Sequence, residues 1–495
     1  MTLLFKEAEW DFAALDRTLK AIEDIALNDL KLDVYPNQIE IISSEQMLDA
    51  YSSFGMPLMY NHWSFGKLFA REETMYRGGH SALAYEIVIN SNPCISYLLE
   101  ENTMTMQALV IAHAAFGHNH FFKNNYLFRQ WTNAEGIHDY LAFAKRYISA
   151  CEERHGREEV ESVLDSAHAI MNQGVFRYRR PPRPSRERTM EKLRRRAEYQ
   201  DETYNELWRT LPANLPLRVT PPVRDADDED FAEEAKLPEE NLLYFLEKYS
   251  PTLKPWQRET LRIVRNLAQY FYPQRQTKVM NEGCATFVHF TIMNLLYDRG
   301  LIGEGSIFEF LHSHTSVVFQ PEFDDRRYYG INPYALGYAM MADIRRICET
   351  PTAEDRDWFP QFAGSGDFMA TLKDAWANYR DESFIEQFLS PKVIRDFRMF
   401  GLHDKADDAA YKVASIHNEN GYRKVRATLA RQYDAGALDP DIQVVGADLK
   451  GNRKLYLEHR MHRGVPLHHP TMELVKTHIE RLWGHDVSLE EVVIG

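Results

Sequence analysis

Cysteine is scarce in this sequence: Cys94, Cys151, Cys284 and Cys348 are its four, spread over 495 residues with no CxxC pair. That argues against a disulfide framework and a thiolate zinc site, and it fits a reducing compartment. Long apolar runs are missing too. A bilayer span needs about 18 uninterrupted apolar residues, and the best stretch, Ala108 to Phe116, is broken by His113. The amino-terminal MTLLFKEAEWDF turns charged directly after Leu3, Leu4 and Phe5, too early for a signal-peptide core, so a cytoplasmic location without membrane insertion is expected. Positive charge is in deficit. A formal net charge of -15 and a pI near 5.7 repel a phosphate backbone, so no nucleic-acid partner is expected. The sequence also lacks a Walker P-loop, a G-x-S-x-G elbow, a G-x-G-x-x-G after a strand and any internal repeat, which removes the usual markers of ATPases, serine hydrolases and dinucleotide enzymes.

Apolar material is plentiful, at 44% hydrophobic and 12% aromatic, so the chain is globular. Its length predicts more than one structural unit. Apolar positions recurring every three or four residues predict a helix from Trp10 to about Asp29. YEIVINSNP reads as a short buried strand, Ile95 to Phe122 as one long helix or two abutting ones, and Asn133 to Arg154 as another. A basic block, Arg177 to Arg196, and an acidic block, Asp225 to Glu240, mark a charged connector, read either as a solvated linker or as a docking arm. Helical spacing resumes from Leu242, with Pro251, Pro255 and Pro273 as breaks. DIQVVGADLKGNRKLYLEHRM predicts a hairpin, and Met472 to Trp483 a closing helix. The expected fold is mainly α with a small α+β C-terminal domain, the multi-helix body being compatible with a zincin-like arrangement. Its divisions are an N-terminal helical unit with a short buried strand (1–175), a charged connector (176–240), a second helical unit completing the main body (241–425) and the small α+β domain (426–495).

Two clusters suggest chemistry. One is HAAFGHNHFFKNN, with His113, His118 and His120 at the end of an apolar helix; the other is NEGCATFVH, with Glu282 and His289. Imidazole and carboxylate are the ligands that zinc, iron and manganese take from helices. A regular helix places ligands for one ion at i and i+4. His113 and His118 are at i and i+5, roughly 140° apart on a regular helix, but a π-bulge brings them to one face, and Gly117 could ease that distortion. His113 with His120, and Glu282 with His289, are at i and i+7, about 10.5 Å apart along the axis, which suits a dinuclear site or one ligand plus one supporting partner from each helix.

The Asn-Glu-Gly-x-Ala string also resembles the helix that gives gluzincin peptidases their third zinc ligand, a Glu. The Glu base those enzymes carry between their histidines is absent here, where Ala114 stands, so the base has to come from elsewhere, with Glu86, Glu100 and Glu135 as candidates. The alternative for the whole cluster is a buried polar network, with Gly117 and Gly283 serving close helix packing.

His312, Ser313 and His314 fall in an apparent loop region, read as a packed turn or a binding loop. Tyr60 to Trp63 with Lys67 form a similar group, and His62 or His80 could add to a site. His459, His462, His468 and His469 have no helical ligand spacing and read as surface or hairpin residues.

Five strings in order, YEIVINSNPCISYLLEEN, HAAFGHNHFFKNN, VMNEGCATFVHF, YYGINPYALGYAMMADIRRICE and DESFIEQFLSPKVIRDF, resemble the SpoVR (stage V sporulation protein R-like) family, which includes the YcgB-type proteins of non-sporulating bacteria. The resemblance implies a role in sporulation, at the spore cortex, or in stationary-phase and stress responses. It also implies a system shared with a PrkA-type serine protein kinase and a von Willebrand-like protein. Two functional classes follow: a metal-dependent hydrolase acting on an amide or peptide bond, or a non-enzymatic adaptor or substrate of that kinase.

Overall fold

A computed structural model describes residues 2–52, 59–64, 67, 85–177, 237–322, 325–399, 402–403, 412–413, 418–434, 439–449, 451–462 and 464–494. Most of the 54–80 stretch, His80 included, and the connector from 178 to 236 lie outside them. Helix dominates the described residues, with a small α+β region at the C-terminus, as expected. The chain forms two compact units, residues 1–149 with 269–438, and residues 150–268 with 439–495.

The first unit is a helical body with a three-stranded sheet. Helix α1 (Phe12–Asp24) is N-capped by Asp11, whose side chain accepts the Ala14 N–H. Strands β1 (Asn37–Ile42), β2 (Glu86–Ile89) and β3 (Cys94–Leu99) are ordered β1-β3-β2, with β3 parallel to β1 and antiparallel to β2. Helix α2 consists of Met104–Ile111, a π-helical turn Ala112–His118, and Asn119–Asn124. Helix α3 (Lys278–Asp298) is mostly apolar and buried around most of its circumference, which suits the centre of a body and not its surface. It runs between α2 and α5 (Pro333–Glu349), while α4 (Glu304–Val317) packs alongside. Glycines set these spacings: a Cβ on Gly117 of α2 would lie 2.5 Å from the Ala285 Cα of α3. The N-terminus of α3 is held by Asp381, the first residue of α6 (Asp381–Phe388), whose two carboxylate oxygens accept the Val279 and Met280 N–H groups at 2.8 Å each.

In the second unit the helices Arg157–Ala169 and His469–Trp483 pack together near a sheet of β4 (Ile442–Ala447), β5 (Leu455–Met461) and β6 (Val487–Val493). The predicted hairpin is β4 and β5; β6 adds in parallel to β5. Trp483 is fully buried against Phe245 of the Leu242–Tyr249 helix.

Three local expectations need correction. Ile95 to Leu99 is strand, not the start of the long helix. A six-residue apolar run has no periodicity to distinguish the two, and pairing of β3 on both sides decides. Pro273 does not break its helix, which continues for three more residues to Gln276, and the Thr277 hydroxyl donates to the Pro273 carbonyl at 2.7 Å. His312 to His314 lie on α4 and not in a loop.

Candidate metal centre

Both histidines of the candidate centre on α2 owe their direction to the π-helical turn. An extra residue in that turn brings positions five apart to one face. The rings of His113 and His118 sit 4.6 Å apart, nearly perpendicular, at 4% and 7% exposure. Glu86 arrives from the first position of β2, an edge strand, and Glu282 from the second turn of α3. Glu86 Oε1 is 3.6 Å from His113 Nε2, and Glu282 Oε2 is 3.6 Å from His118 Nε2 and 3.9 Å from His113 Nε2. Ligand atoms of Glu86, His113 and His118 all lie within 4.8 Å of one another.

These separations are too long for hydrogen bonds. The 3.6 Å contacts made by Glu86 and Glu282 come close to the ~3.4 Å between two donors each about 2.1 Å from a tetrahedral zinc. The electrostatics point the same way. Among the described residues no lysine or arginine pairs with Glu86 or Glu282, and Glu282 Oε2 is buried without a hydrogen-bond partner. A satisfied polar network leaves no such atom. Burial, and then the neighbouring Glu282, push the Glu86 carboxyl up to about 8. Burial, reinforced by His118 and His289, holds His113 well below the ordinary histidine range.

Each histidine is oriented from behind. His118 Nδ1 is 2.9 Å from Asn281 Oδ1, so the ring donates through Nδ1 and its Nε2 lone pair faces the group. His113 Nδ1 is 2.9 Å from His289 Nδ1, and His289 Nε2 is 3.0 Å from His314 Nδ1.

Of the residues singled out from sequence, the structure gathers Glu86, His113, His118 and Glu282. His289 stands behind His113 with both nitrogens engaged, in the supporting position allowed by its spacing from Glu282. His120 turns away to the Asp33 main chain, its Nδ1 2.9 Å from the carbonyl oxygen. Glu100 and Glu135 are exposed and outside the group. In the second unit, His459 and His462 pair with Glu491 and Asp441. Sequence reasoning gave no role to Asn281, although its place directly before Glu282 was a usable signal. His314 was noticed for the wrong reason, since nothing local shows that α4 carries it to His289.

Comparison with known proteins places this chain. The family model described as SpoVR like protein matches residues 9–438, and that described as SpoVR-like C-terminal domain matches residues 440–493. The chain belongs to the SpoVR family. It is 54% identical over 490 residues, 99% of this chain and 94% of the relative, to the protein of Escherichia coli strain K12 described as "Uncharacterized protein YcgB". No solved structure matches the chain. Among the described residues no helix is long and apolar enough to cross a membrane.

Proposed function

We propose that this protein is a metal-dependent hydrolase of an amide or peptide bond, with Glu86, His113 and His118 holding one divalent ion and Glu282 acting as the base. Zinc suits the donor set, and iron or manganese are the alternatives. The observation that carries the reading is the gathering of Glu86, His113 and His118 ligand atoms within 4.8 Å of one another, with the unpartnered, buried Glu282 Oε2 beside them. A bound divalent ion supplies Lewis acidity there. The side chains of Glu86 and Glu282 are 19% and 18% exposed while those of the histidines are nearly closed off, so access is from the carboxylate side. Glu282 takes a proton from a water as its oxygen bonds to the amide carbon, and returns that proton to the leaving nitrogen as the C–N bond breaks. We extend the proposal, on family resemblance, to a cytoplasmic sporulation or stress-response system shared with a PrkA-type kinase and a von Willebrand-like protein.

Elemental analysis of the purified protein, with His113→Ala and Glu86→Gln variants, tests the centre. Near-stoichiometric zinc, iron or manganese that disappears in both variants is the expected result. A wild-type protein that takes up none of these metals overturns the hydrolase and leaves the adaptor or kinase-substrate role as the surviving reading.

A further inference from the structure

Three imidazoles from three helices stand in series: His113 on α2, His289 on α3 and His314 on α4. They are 4%, 2% and 3% exposed. Their links are nitrogen to nitrogen, Nδ1 to Nδ1 at 2.9 Å and Nε2 to Nδ1 at 3.0 Å. The far ring is enclosed by aromatics, with Phe290, Phe310 and Tyr338 ring centres 4.7, 5.7 and 4.8 Å away.

A neutral imidazole has one N–H and one lone pair, so each link needs a donor on one side and an acceptor on the other. With each ring neutral, every nitrogen-to-nitrogen contact in the series pairs one N–H with one lone pair. Two links in series then allow only two proton arrangements, running in opposite directions. A ligand at His113 Nε2 selects one of them. That nitrogen must offer its lone pair, so the His113 proton moves to Nδ1 and is donated to His289 Nδ1. The His289 proton therefore sits on Nε2 and is donated to His314 Nδ1, leaving the His314 proton on Nε2.

We propose that His289 and His314 are positioning residues of the metal centre, an imidazole chain that acts with the Ala285 backbone to fix His113 in the Nε2-ligating tautomer. This rests on the proposed metal reading and adds to it two residues that do not touch the ion. The two ligands then differ by design. His118 leans on the fixed acceptor Asn281 Oδ1, whereas His113, beside the Ala285 backbone, leans also on a partner able to reverse its own hydrogen-bonding direction. Occupancy at the centre is therefore written into the protonation pattern of His314, two links away.

The test is zinc titration of the full-length protein against a chromophoric chelator, for wild type, His289→Phe, His289→Gln and His314→Phe. Circular dichroism and a thermal melt verify folding. His289→Phe is expected to weaken zinc binding about 10–100-fold, the usual cost of losing a partner of this kind. His289→Gln keeps an acceptor and a donor and is expected to restore most of the affinity, which filling space alone cannot do. Nitrogen-15 spectra of histidine-labelled protein supply a second readout: zinc is expected to lock His113 as Nδ1–H and His314 as Nε2–H. Zinc binding as tight in His289→Phe as in wild type, or a His314 proton on Nδ1 with zinc bound, overturns the proposal while leaving the metal centre standing. A wild-type protein that binds no zinc, iron(II) or manganese removes the centre and the chain's assigned direction together. If His289→Phe fails to fold, the decision passes to His314→Phe, whose new ring replaces one in aromatic surroundings; unchanged affinity and unchanged His113 signals there count against the chain.

Discussion

Gly283 and Gly337 meet backbone to backbone: a Cβ on Gly283 would lie 2.6 Å from the Gly337 Cα, and one on Gly337 would lie 2.2 Å from the Val279 carbonyl oxygen. On another side of α3, Gly117 allows the equally close approach of α2 at Ala285. The helix that supplies Glu282 is thus wedged between two neighbours with no room for a methyl group. Gly283→Ala and Gly337→Ala are each expected to destabilise the protein by about 1–3 kcal/mol through overpacking. Gly305→Ala, on α4 with nothing within 4 Å of the added carbon, is the control and is expected to leave the melting temperature unchanged or slightly raised. Equal melting of all three variants would show that the helices have room to separate.

Asp381 closes the N-terminus of α3 one turn before Glu282. Its removal leaves the Val279 and Met280 N–H groups without acceptors in a buried place. Asp381→Ala is expected to cost about 1–3 kcal/mol in urea unfolding, with Asp381→Asn milder because it keeps one acceptor oxygen. On the proposed reading, both variants also weaken metal uptake by loosening the turn that carries Asn281 and Glu282. Full stability in Asp381→Ala would mean that this helix end is held by other groups.

Stability of the metal-free protein is expected to peak near pH 6.5. Burial lowers His120 and His314 to about 4, and His113 and His289 well below their usual 6.5. The unfolded chain therefore binds protons that the folded one refuses as pH falls from 6.5 toward 4, and stability declines on that side. Burial raises Asp381 to about 7 and Glu86 to about 8. Over their range the folded chain holds protons that the unfolded one has lost, so stability declines as pH rises from 6.5 to about 8. Below 6.5 the histidines, with His478 also lowered by burial, outweigh the raised carboxyls, which include Glu239 and Glu240, and above it Asp381 and Glu86 set the trend. Urea midpoints at pH 5, 6.5 and 8.5 after chelator treatment check the shape, and a monotonic trend contradicts it.

Glu86 and Glu282 are expected to fail differently. Glu86→Gln removes a proposed ligand and should abolish metal retention. Glu282→Gln should keep the metal but lower hydrolysis roughly 10²–10⁴-fold, the usual contribution of a general base. Elemental analysis paired with a peptide-hydrolysis assay separates the two, and loss of metal in Glu282→Gln would instead make Glu282 a ligand.

The sequence by itself determined the helical class, because three-to-four-residue periodicity follows from the geometry of one helix and needs no partner. It also showed that His113 and His118 are one residue too far apart for a regular turn, and that a π-bulge is the local remedy; the turn at Ala112–His118 is that remedy. Short buried strands were harder. In CISYLL both faces are apolar, so the choice between strand and helix lay with β1 and β2 and not with the segment. The centre divides along the same line. Residue types and spacing singled out His113, His118, His120, Glu282 and His289, and named Glu86 only beside Glu100 and Glu135 as a candidate base; which of these point inward is a property of how helices and strands meet. His120 shares the segment yet faces Asp33, and His314 joins His289 only because α4 packs beside α3. Such meetings, 163 residues apart for His118 and Asn281, leave no periodic trace in a single chain, since no local rule links the two positions; only tertiary packing decides them.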